Sequence, residues 1–334
     1  MTWLITGGAG YIGAHVARAM TGAGERVVAL DDLSAGVPAR LPEGVPLVRG
    51  SSLDGELVRQ VCAEHGVTGV VHLAARKQAG ESVARPTWYY RENVGGLATL
   101  LDAVADAGIE RFVFSSSAAV YGDLDADVIT EDSPCAPANP YGETKLAGEW
   151  LVRAAGRAHG IATVCLRYFN VAGAAVPELA DTGVFNIVPM VFDRLTRDEA
   201  PRIFGDDYPT PDGTCVRDYI HVADLAEAHL AAARRLSRGD VTGDLTVNIG
   251  RGEGVSVREL ITVIGEVTGD TRAPLVEDRR PGDAPRAVAS AALAAEHLGW
   301  TARRSVHDMI DSAWQGWRLH HGGRATPPHP SPAV

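Results

Sequence analysis

Residues 1–13 read Met-Thr-Trp-Leu-Ile-Thr-Gly-Gly-Ala-Gly-Tyr-Ile-Gly, and their reading decides the fold. Trp3, Leu4 and Ile5 form a short apolar run, Gly7, Gly10 and Gly13 follow at three-residue spacing, and residues 14–20 have helical character. Strand, glycine turn and helix in that order leave bare amide N–H groups at a helix N-terminus, where a pyrophosphate is held. Gly7 permits the tight turn, Gly10 the approach of phosphate to backbone, and Gly13 the close packing of helix on strand. Three glycines alone are weak evidence, since some such matches are plain turns. A second apolar run, residues 26–30, ends in Asp31 and Asp32, where a carboxylate accepts hydrogen bonds from an adenosine ribose. An acid there favours NAD over NADP, whose additional phosphate it repels.

The 334 residues exceed one comfortable core, so two lobes, or one large domain with an appendage, are expected. A formal net charge of -11 argues against a nucleic-acid partner, since phosphate backbones are bound by clustered Lys and Arg. Cys62, Cys135, Cys165 and Cys215 are scattered, without a CxxC pair or a neighbouring His cluster. They read as reduced core or loop thiols, and no metal site is expected. The chain opens directly on a strand and holds no apolar run of the length a bilayer needs. Neither a signal peptide nor a membrane partner is therefore expected, and the compartment is cytoplasmic by default.

After Asp32 a turn-rich segment leads to a short strand at 47–49 and a helix at 54–65. Residues 67–75 are nearly all apolar, as in a parallel strand buried on both faces. Leu97, Leu100, Leu101 and Val104 give 88–107 helical spacing, and 109–116 is another buried strand. Strand and helix alternate without a hairpin signal, which predicts an α/β protein with a doubly wound parallel sheet of Rossmann type. A long helix over 141–159 is closed by Gly160, and a strand follows at 163–168. Beyond Asn170 the pattern loosens into short strands at 202–204 and 245–249, and helices at 224–235, 256–267 and 305–318. We expect a nucleotide-binding domain over 1–170, with segments near 214–250 returning to it. A smaller mixed α/β substrate lobe is expected over 171–320, and a flexible tail over 322–334, where Gly, Pro, Ser and His dominate.

Ligands of such a sheet bind beyond the carboxyl ends of its strands, so residues following each apolar run are the candidates. Ser115, Ser116 and Ser117 follow the run ending at Phe114, and Tyr121 and Gly122 come next. Farther on, Tyr141 opens a helix and Lys145 lies one turn along on the same face. A free tyrosine titrates near pH ~10 and is a poor base at neutrality. A neighbouring ammonium and an oxidised nicotinamide, both positive, favour its phenolate. Ser117 completes a relay between a substrate hydroxyl and Tyr141, so that the group removes a proton from an alcohol while a hydride leaves to NAD. Taken singly, Tyr141 reads as a surface residue beside Pro140, Lys145 as a solvated cation and the serine run as a turn. Their order relative to the glycine turn and Asp31 favours the site. His72 and His221 read as satisfied core or turn residues rather than metal ligands.

Several blocks of the sequence carry a family resemblance. Thr6-Gly7-Gly8-Ala9-Gly10-Tyr11-Ile12-Gly13, Gly80-Glu81-Ser82-Val83, Ser115-Ser116-Ser117-Ala118-Ala119-Val120-Tyr121-Gly122 and Tyr141-Gly142-Glu143-Thr144-Lys145 are four of them. Arg167-Tyr168-Phe169-Asn170, Gly205-Asp206-Asp207-Tyr208-Pro209-Thr210 and Val216-Arg217-Asp218-Tyr219-Ile220-His221-Val222 are the others, the last two being the most specific. Together they closely resemble the UDP-glucose 4-epimerase family of the extended short-chain dehydrogenase/reductases, from Met1 to about Trp317. The resemblance implies Ser117, Tyr141 and Lys145 as the catalytic group. It implies an NAD site that adds Tyr11, Ile12, Ser51, Ser52, Leu73, Ala74 and Ala75 to the glycines and Asp31 and Asp32. Lys77, Asn93, Ser115 and Tyr168 complete that site, together with Tyr141 and Lys145. UDP-sugar would meet Lys77, Ser117, Ala118, Ala119, Tyr141 and Phe169 on one side. Asn170, Asn186, Ile187, Arg217, Tyr219, Arg280 and Asp283 would face it from the other. Two guanidiniums suit a diphosphate in bidentate fashion, as Lys does not, and Asp283 suits the uridine ribose.

The chain departs from the family pattern at four places. Ser51 follows Gly50 where the family has an Asp for the adenine amine, and Ala119 replaces a Thr near the catalytic serine. Phe185 replaces an Asn before Asn186, and Ala287 stands where many members have a Tyr facing the sugar. The implied activity is interconversion of UDP-glucose and UDP-galactose through a 4-keto intermediate with tightly bound NAD, in galactose and nucleotide-sugar metabolism. UDP-N-acetylglucosamine and UDP-glucuronate are alternative substrates. A 4,6-dehydratase needs an added acid and base where Ala118 and Ala119 stand, and a non-enzymatic NAD-sensing regulator tends to lose the Tyr and Lys. The family further implies a homodimer paired through the helices beginning at Trp88 and Tyr141.

Overall fold

A computed structural model describes residues 1–124, 126–280 and 283–322. The expected tail, from 323 onward, lies outside the described residues. The first half runs β1 (Thr2–Thr6), α1 (Tyr11–Gly22), β2 (Arg26–Asp31), β3 (Leu47–Arg49), α2 (Gly55–His65), β4 (Gly69–His72), α3 (Ala79–Ala84), α4 (Pro86–Tyr90), α5 (Gly96–Asp106), β5 (Arg111–Ser115), α6 (Pro140–His159) and β6 (Ala162–Tyr168). The second half runs β7 (Asn170–Ala172), α7 (Ile187–Thr196), β8 (Arg202–Phe204), β9 (Val216–His221), α8 (Val222–Arg238), β10 (Asp244–Ile249), β11 (Gly254–Ser256), α9 (Val257–Thr268), β12 (Leu275–Glu277), β13 (Arg286–Ala287) and α10 (Val306–His321).

Seven parallel strands form the main sheet in the order β10-β6-β5-β4-β1-β2-β3. Side chains alternate across it, as the pleat requires. Trp3, Ile5, Val71 and Val113 face a core with Val16 and Met20 of α1 and Leu225 and Leu236 of α8. Leu4, Val70, Phe112 and Phe114 face the opposite core with Val58 of α2, Leu97 and Leu101 of α5 and Val152 of α6. Burial on both faces explains the uninterrupted apolar runs. The strand order reverses between β1 and β4, which opens a crevice between the loops that follow them.

The structure redraws several expected boundaries. The apolar run at 67–75 contributes only Gly69–His72 to the sheet, and residues 73–75 become the loop lining the crevice. The helix expected over 88–107 is α4 and α5 joined by a π-helical turn, Arg91–Gly95. The segment expected to rejoin the sheet divides: β10 pairs with β6, and α8 packs on α1, but β9 belongs elsewhere. It forms a second sheet with β7, β11 and β13. Helices α7, α9 and α10 bury Phe192, Ile264 and Trp317 beside that sheet. Tyr11 of α1 donates through its hydroxyl to Gly173 O at 2.6 Å, and Ala175 N donates to His15 Nε2 at 3.1 Å, so α1 holds both lobes. The four cysteines are free. Among the described residues no His, Cys, Asp and Glu group could hold a metal, and no helix is long and apolar enough to cross a membrane.

Histidines beside the apolar runs are core residues. His72 Nδ1 stands 2.7 Å from Thr6 Oγ1, and His221 caps α8 by accepting from Ala223 N. His229 Nδ1 donates to Leu225 O, so its Nε2 accepts from Ser115 Oγ at 2.8 Å. Burial pushes His15, His221 and His229 from 6.5 down to about 4, and His72 to about 3. The unfolded chain takes up these protons near its ordinary histidine value, the folded protein only at lower pH. Between the two the unfolded state holds more protons, so stability rises with pH there and is lost as pH falls. We expect the Tm to drop steadily from about pH 6.5 to about pH 4; a level Tm over that range, by scanning calorimetry, contradicts the assignment.

Candidate active site

The glycine turn sits at the reversal of strand order. Gly7 adopts φ 70°, and a Cβ at Gly13 would lie 2.1 Å from Gly7 O, so the helix approaches the turn backbone to backbone. Helix α1 starts from Gly10 without a side-chain cap, leaving its first-turn amides available to an anion. The buried Asp31 carboxylate accepts from Ala9 N at 3.0 Å through one oxygen and from Leu33 N at 2.8 Å through the other. Burial raises its pKa against those two hydrogen bonds. Asp32 is more exposed, accepting from Ser34 and pairing with Arg76 at 3.3 Å. Uncapped amides, a glycine cradle and a carboxylate with lone pairs to spare together fit a dinucleotide.

Leu73, Ala74 and Ala75 line the crevice opposite, near enough that a Cβ on Gly7 would meet Ala74 N at 2.9 Å. Lys77 is exposed at its end, and Ser51 and Ser52 are half-buried beyond β3. Asn93, which the resemblance sets against NAD, has its amide engaged within the chain. Its Oδ1 accepts from Arg76 N at 2.8 Å, and its Nδ2 donates to Arg76 O and to Thr144 Oγ1, each at 3.0 Å. It clamps the crevice loop to α6.

Asn139 caps α6 and Pro140 occupies its first turn, which sets Tyr141 at the helix start. The Ser117 hydroxyl lies beside the Tyr141 phenol and accepts from Ala119 N at 3.2 Å. Lys145 is 3% exposed and donates to Ser115 O at 2.8 Å, with its ammonium 6.0 Å from the centre of the Tyr141 ring. Burial lowers the lysine to about 8, while Glu149 opposes that shift. Burial raises the Tyr141 phenol, and the adjacent Ser117 hydroxyl opposes that shift. Tyr168 is likewise raised by burial, with the Ser115 hydroxyl opposing the shift.

Below these residues lies a network that residue patterns did not single out. Ser116 Oγ donates to Glu149 Oε1 at 2.5 Å, and Arg167 grips the same carboxylate through Nε at 2.8 Å and Nη2 at 2.7 Å. Glu149 lies two turns beyond Tyr141, and Arg167 interrupts an apolar strand, so spacing and misplaced charge were its available signals.

The register of the second sheet gathers residues far apart in sequence. Asn170 pairs with Tyr219, and Arg217 pairs with Ala287 on one edge and Val255 on the other. Arg217 lies 3.6 Å from Asp283, and the Arg280 guanidinium sits 3.6 Å over the Phe204 ring. Asn186 is exposed at the start of α7, ahead of Ile187, and donates to Asp181 at 3.2 Å; Phe185 beside it is 61% exposed. Phe169 is buried, and Ala118 and Ala119 form the short turn after Ser117.

A dinucleotide cradle and a Ser-Tyr-Lys group at the carboxyl edge of one parallel sheet define a nucleotide-dependent oxidoreductase-like site. Residues 3–250 match the NAD dependent epimerase/dehydratase family, and the chain belongs to it. It is 47% identical to the UDP-glucose 4-epimerase of Azospirillum brasilense over 314 residues, 92% of this chain and 88% of that one. It is 44% identical to the Streptomyces lividans UDP-glucose 4-epimerase, over 96% of both chains. The crystal structure of the Stenotrophomonas maltophila enzyme of that name, with bound NAD and formylated UDP-arabinopyranose, superposes with a TM-score of 0.91. That likeness has 37% identity and covers 96% of this chain and 98% of the other.

Asp31→Ala removes an acceptor shared by two loop amides at the cradle. We expect NAD affinity to fall roughly tenfold or more, measured as nicotinamide nucleotide released on denaturing the purified protein; unchanged content assigns the ribose to Asp32 or another group.

Proposed function

We propose that this protein is a UDP-hexose 4-epimerase that interconverts UDP-glucose and UDP-galactose. The observation carrying the reading is the contact of Ser117 with Tyr141, with Lys145 buried one turn along, beside the crevice of the glycine turn. NAD, when bound, supplies the reversible oxidation at carbon 4 of the hexose. Tyr141 takes the proton of the 4-hydroxyl and later returns it. Ser117 bridges the sugar hydroxyl and the phenol, and Lys145 holds Ser115 O while placing positive charge by the ring. Arg217 and Arg280 neutralise the diphosphate, and Asp283 accepts from the uridine ribose. Asn170, Asn186, Ile187, Tyr219 and Phe169 enclose the sugar and uridine, with Ala118, Ala119 and Lys77 on the catalytic side. Tyr11, Ile12, Ser51, Ser52, Leu73, Ala74, Ala75, Ser115 and Tyr168 surround NAD.

The division of labour between a nucleotide-binding part over 1–170 and a sugar-binding lobe over 171–320 belongs to the same proposal. So do a cytoplasmic location, a place in galactose metabolism, and a homodimer formed through the α4–α5 segment and α6. Tyr90 and Trp150, 40% and 60% exposed, support that pairing face.

The test is product analysis with UDP-glucose, UDP-galactose, UDP-N-acetylglucosamine and UDP-glucuronate supplied separately, without added NAD. Tyr141→Phe is expected to lower kcat by a factor of ~100 or more at nearly constant KM, and Ser117→Ala somewhat less. Parental turnover in Tyr141→Phe refutes the assignment of the base.

Ala287 favours a second substrate. It pairs with Arg217 in register, and the resemblance sets a larger side chain against the sugar at this position; with a methyl there instead, an acetamido group can bury its own methyl, worth roughly 1 kcal/mol. Turnover of UDP-N-acetylglucosamine is expected, with loss in Ala287→Tyr; a wild type inert toward that sugar removes the reading.

A further inference from the structure

The buried charges beneath the catalytic helix follow a repeat. Tyr141, Lys145 and Glu149 succeed one another at single-turn spacing on α6, and each meets one of three consecutive serines. Tyr141 faces the Ser117 hydroxyl, Lys145 donates to Ser115 O at 2.8 Å, and Glu149 accepts from Ser116 Oγ at 2.5 Å. Glu149 is 0% exposed and Arg167 4% exposed, joined by two hydrogen bonds. Arg167 continues to Tyr121, donating through Nη1 to its hydroxyl at 2.9 Å, and Tyr121 in turn donates to Asn248 at 2.6 Å. The serine loop is thus bracketed on both sides of Ser117.

A buried ion pair is weak support for stability, because desolvation offsets most of the Coulombic attraction and apolar replacements can be as stable. What this pair does supply is a fixed place for the loop. Ser117 has no other anchor of its own beyond Tyr141 and the turn it caps among the described contacts.

We infer that Glu149, held by Arg167, is a positioning residue for 4-epimerisation: through Ser116 it keeps Ser117 against Tyr141. The inference rests on the 4-epimerase reading. Glu149 touches no reacting atom; it acts through the serine backbone, where a displacement of about 1 Å is enough to cost a large factor in rate. Ser116→Ala deletes this one link and leaves the Glu149–Arg167 pair and its Arg153 contact in place.

The experiment is a double-mutant cycle of Ser116→Ala and Ser117→Ala in the full-length protein, reading kcat, KM, Tm and retained NAD. In the parental background Ser116→Ala is expected to lower kcat roughly tenfold, with KM, Tm and NAD content near parental values. In the Ser117→Ala background the same change is expected to cost less than about twofold, since its target is gone. Equal losses in both backgrounds, no loss in either, or a loss accompanied by falling Tm and NAD content would each overturn the inference. Absence of epimerisation by the parental protein would instead overturn the 4-epimerase reading on which it stands.

Discussion

The main chain of α1 lies against the turn that follows β1 so closely that no side chain fits between them, and much of the molecule depends on that approach. With Gly13 over Gly7 O, the helix axis points its uncapped amides into the crevice. The same placement brings Ala9 N within reach of Asp31 at the end of β2. It also aims Tyr11 and His15 outward to residues 173 and 175, where the chain has left the main sheet. One local packing constraint therefore sets the cofactor cradle and joins the two lobes. The sheet supplies the rigid base, since strands buried on both faces have few alternative registers.

Burial dominates the electrostatics of the reacting group. Lys145 is surrounded by Phe114, neutral His72 and the Tyr141 ring, so its ammonium is less favoured than in water despite Glu149 nearby. Tyr141 is shifted the opposite way, toward the neutral phenol. Both shifts have one cause, the desolvation of the charged form. The residues hold a base in place without making it a strong one, and the chain's own positive charge is spent on the carbonyl of Ser115. A site arranged this way gains acidity at the phenol when further positive charge enters the crevice.

Polar groups inside the fold are matched in layers. His229 accepts from Ser115, Glu149 from Ser116, and Asn248 from Tyr121, each joining a different helix or strand to the loop after β5. Asp218 does the equivalent work in the second sheet, where its carboxylate accepts from Arg251 N, Gly252 N and Ala289 N. Burying such groups is costly unless each finds a partner, so satisfied networks of this kind rigidify the loops they hold.

Much of this was legible in the linear chain. The glycine spacing, the apolar runs and the acid at the end of β2 are local signals, because a strand buried on both faces and a tight turn each constrain neighbouring residues. The single-turn spacing of Tyr141 and Lys145 is local for the same reason. Glu149 shares that spacing, but a carboxylate two turns along a helix reads as solvated until a partner is known, and its partner Arg167 lies on another strand. Asn93, which the resemblance sets against the cofactor, also bonds the backbone of Arg76 and Thr144, tying a crevice loop to α6, and those partners carry no signal in the linear chain. The pairing of Asn170 with Tyr219 and of Arg217 with Ala287 joins segments whose separation carries no periodic signal. Sequence specifies structure where its causes are short-range; strand register and buried ion pairing depend on which distant segments meet, and that is decided when the whole chain packs.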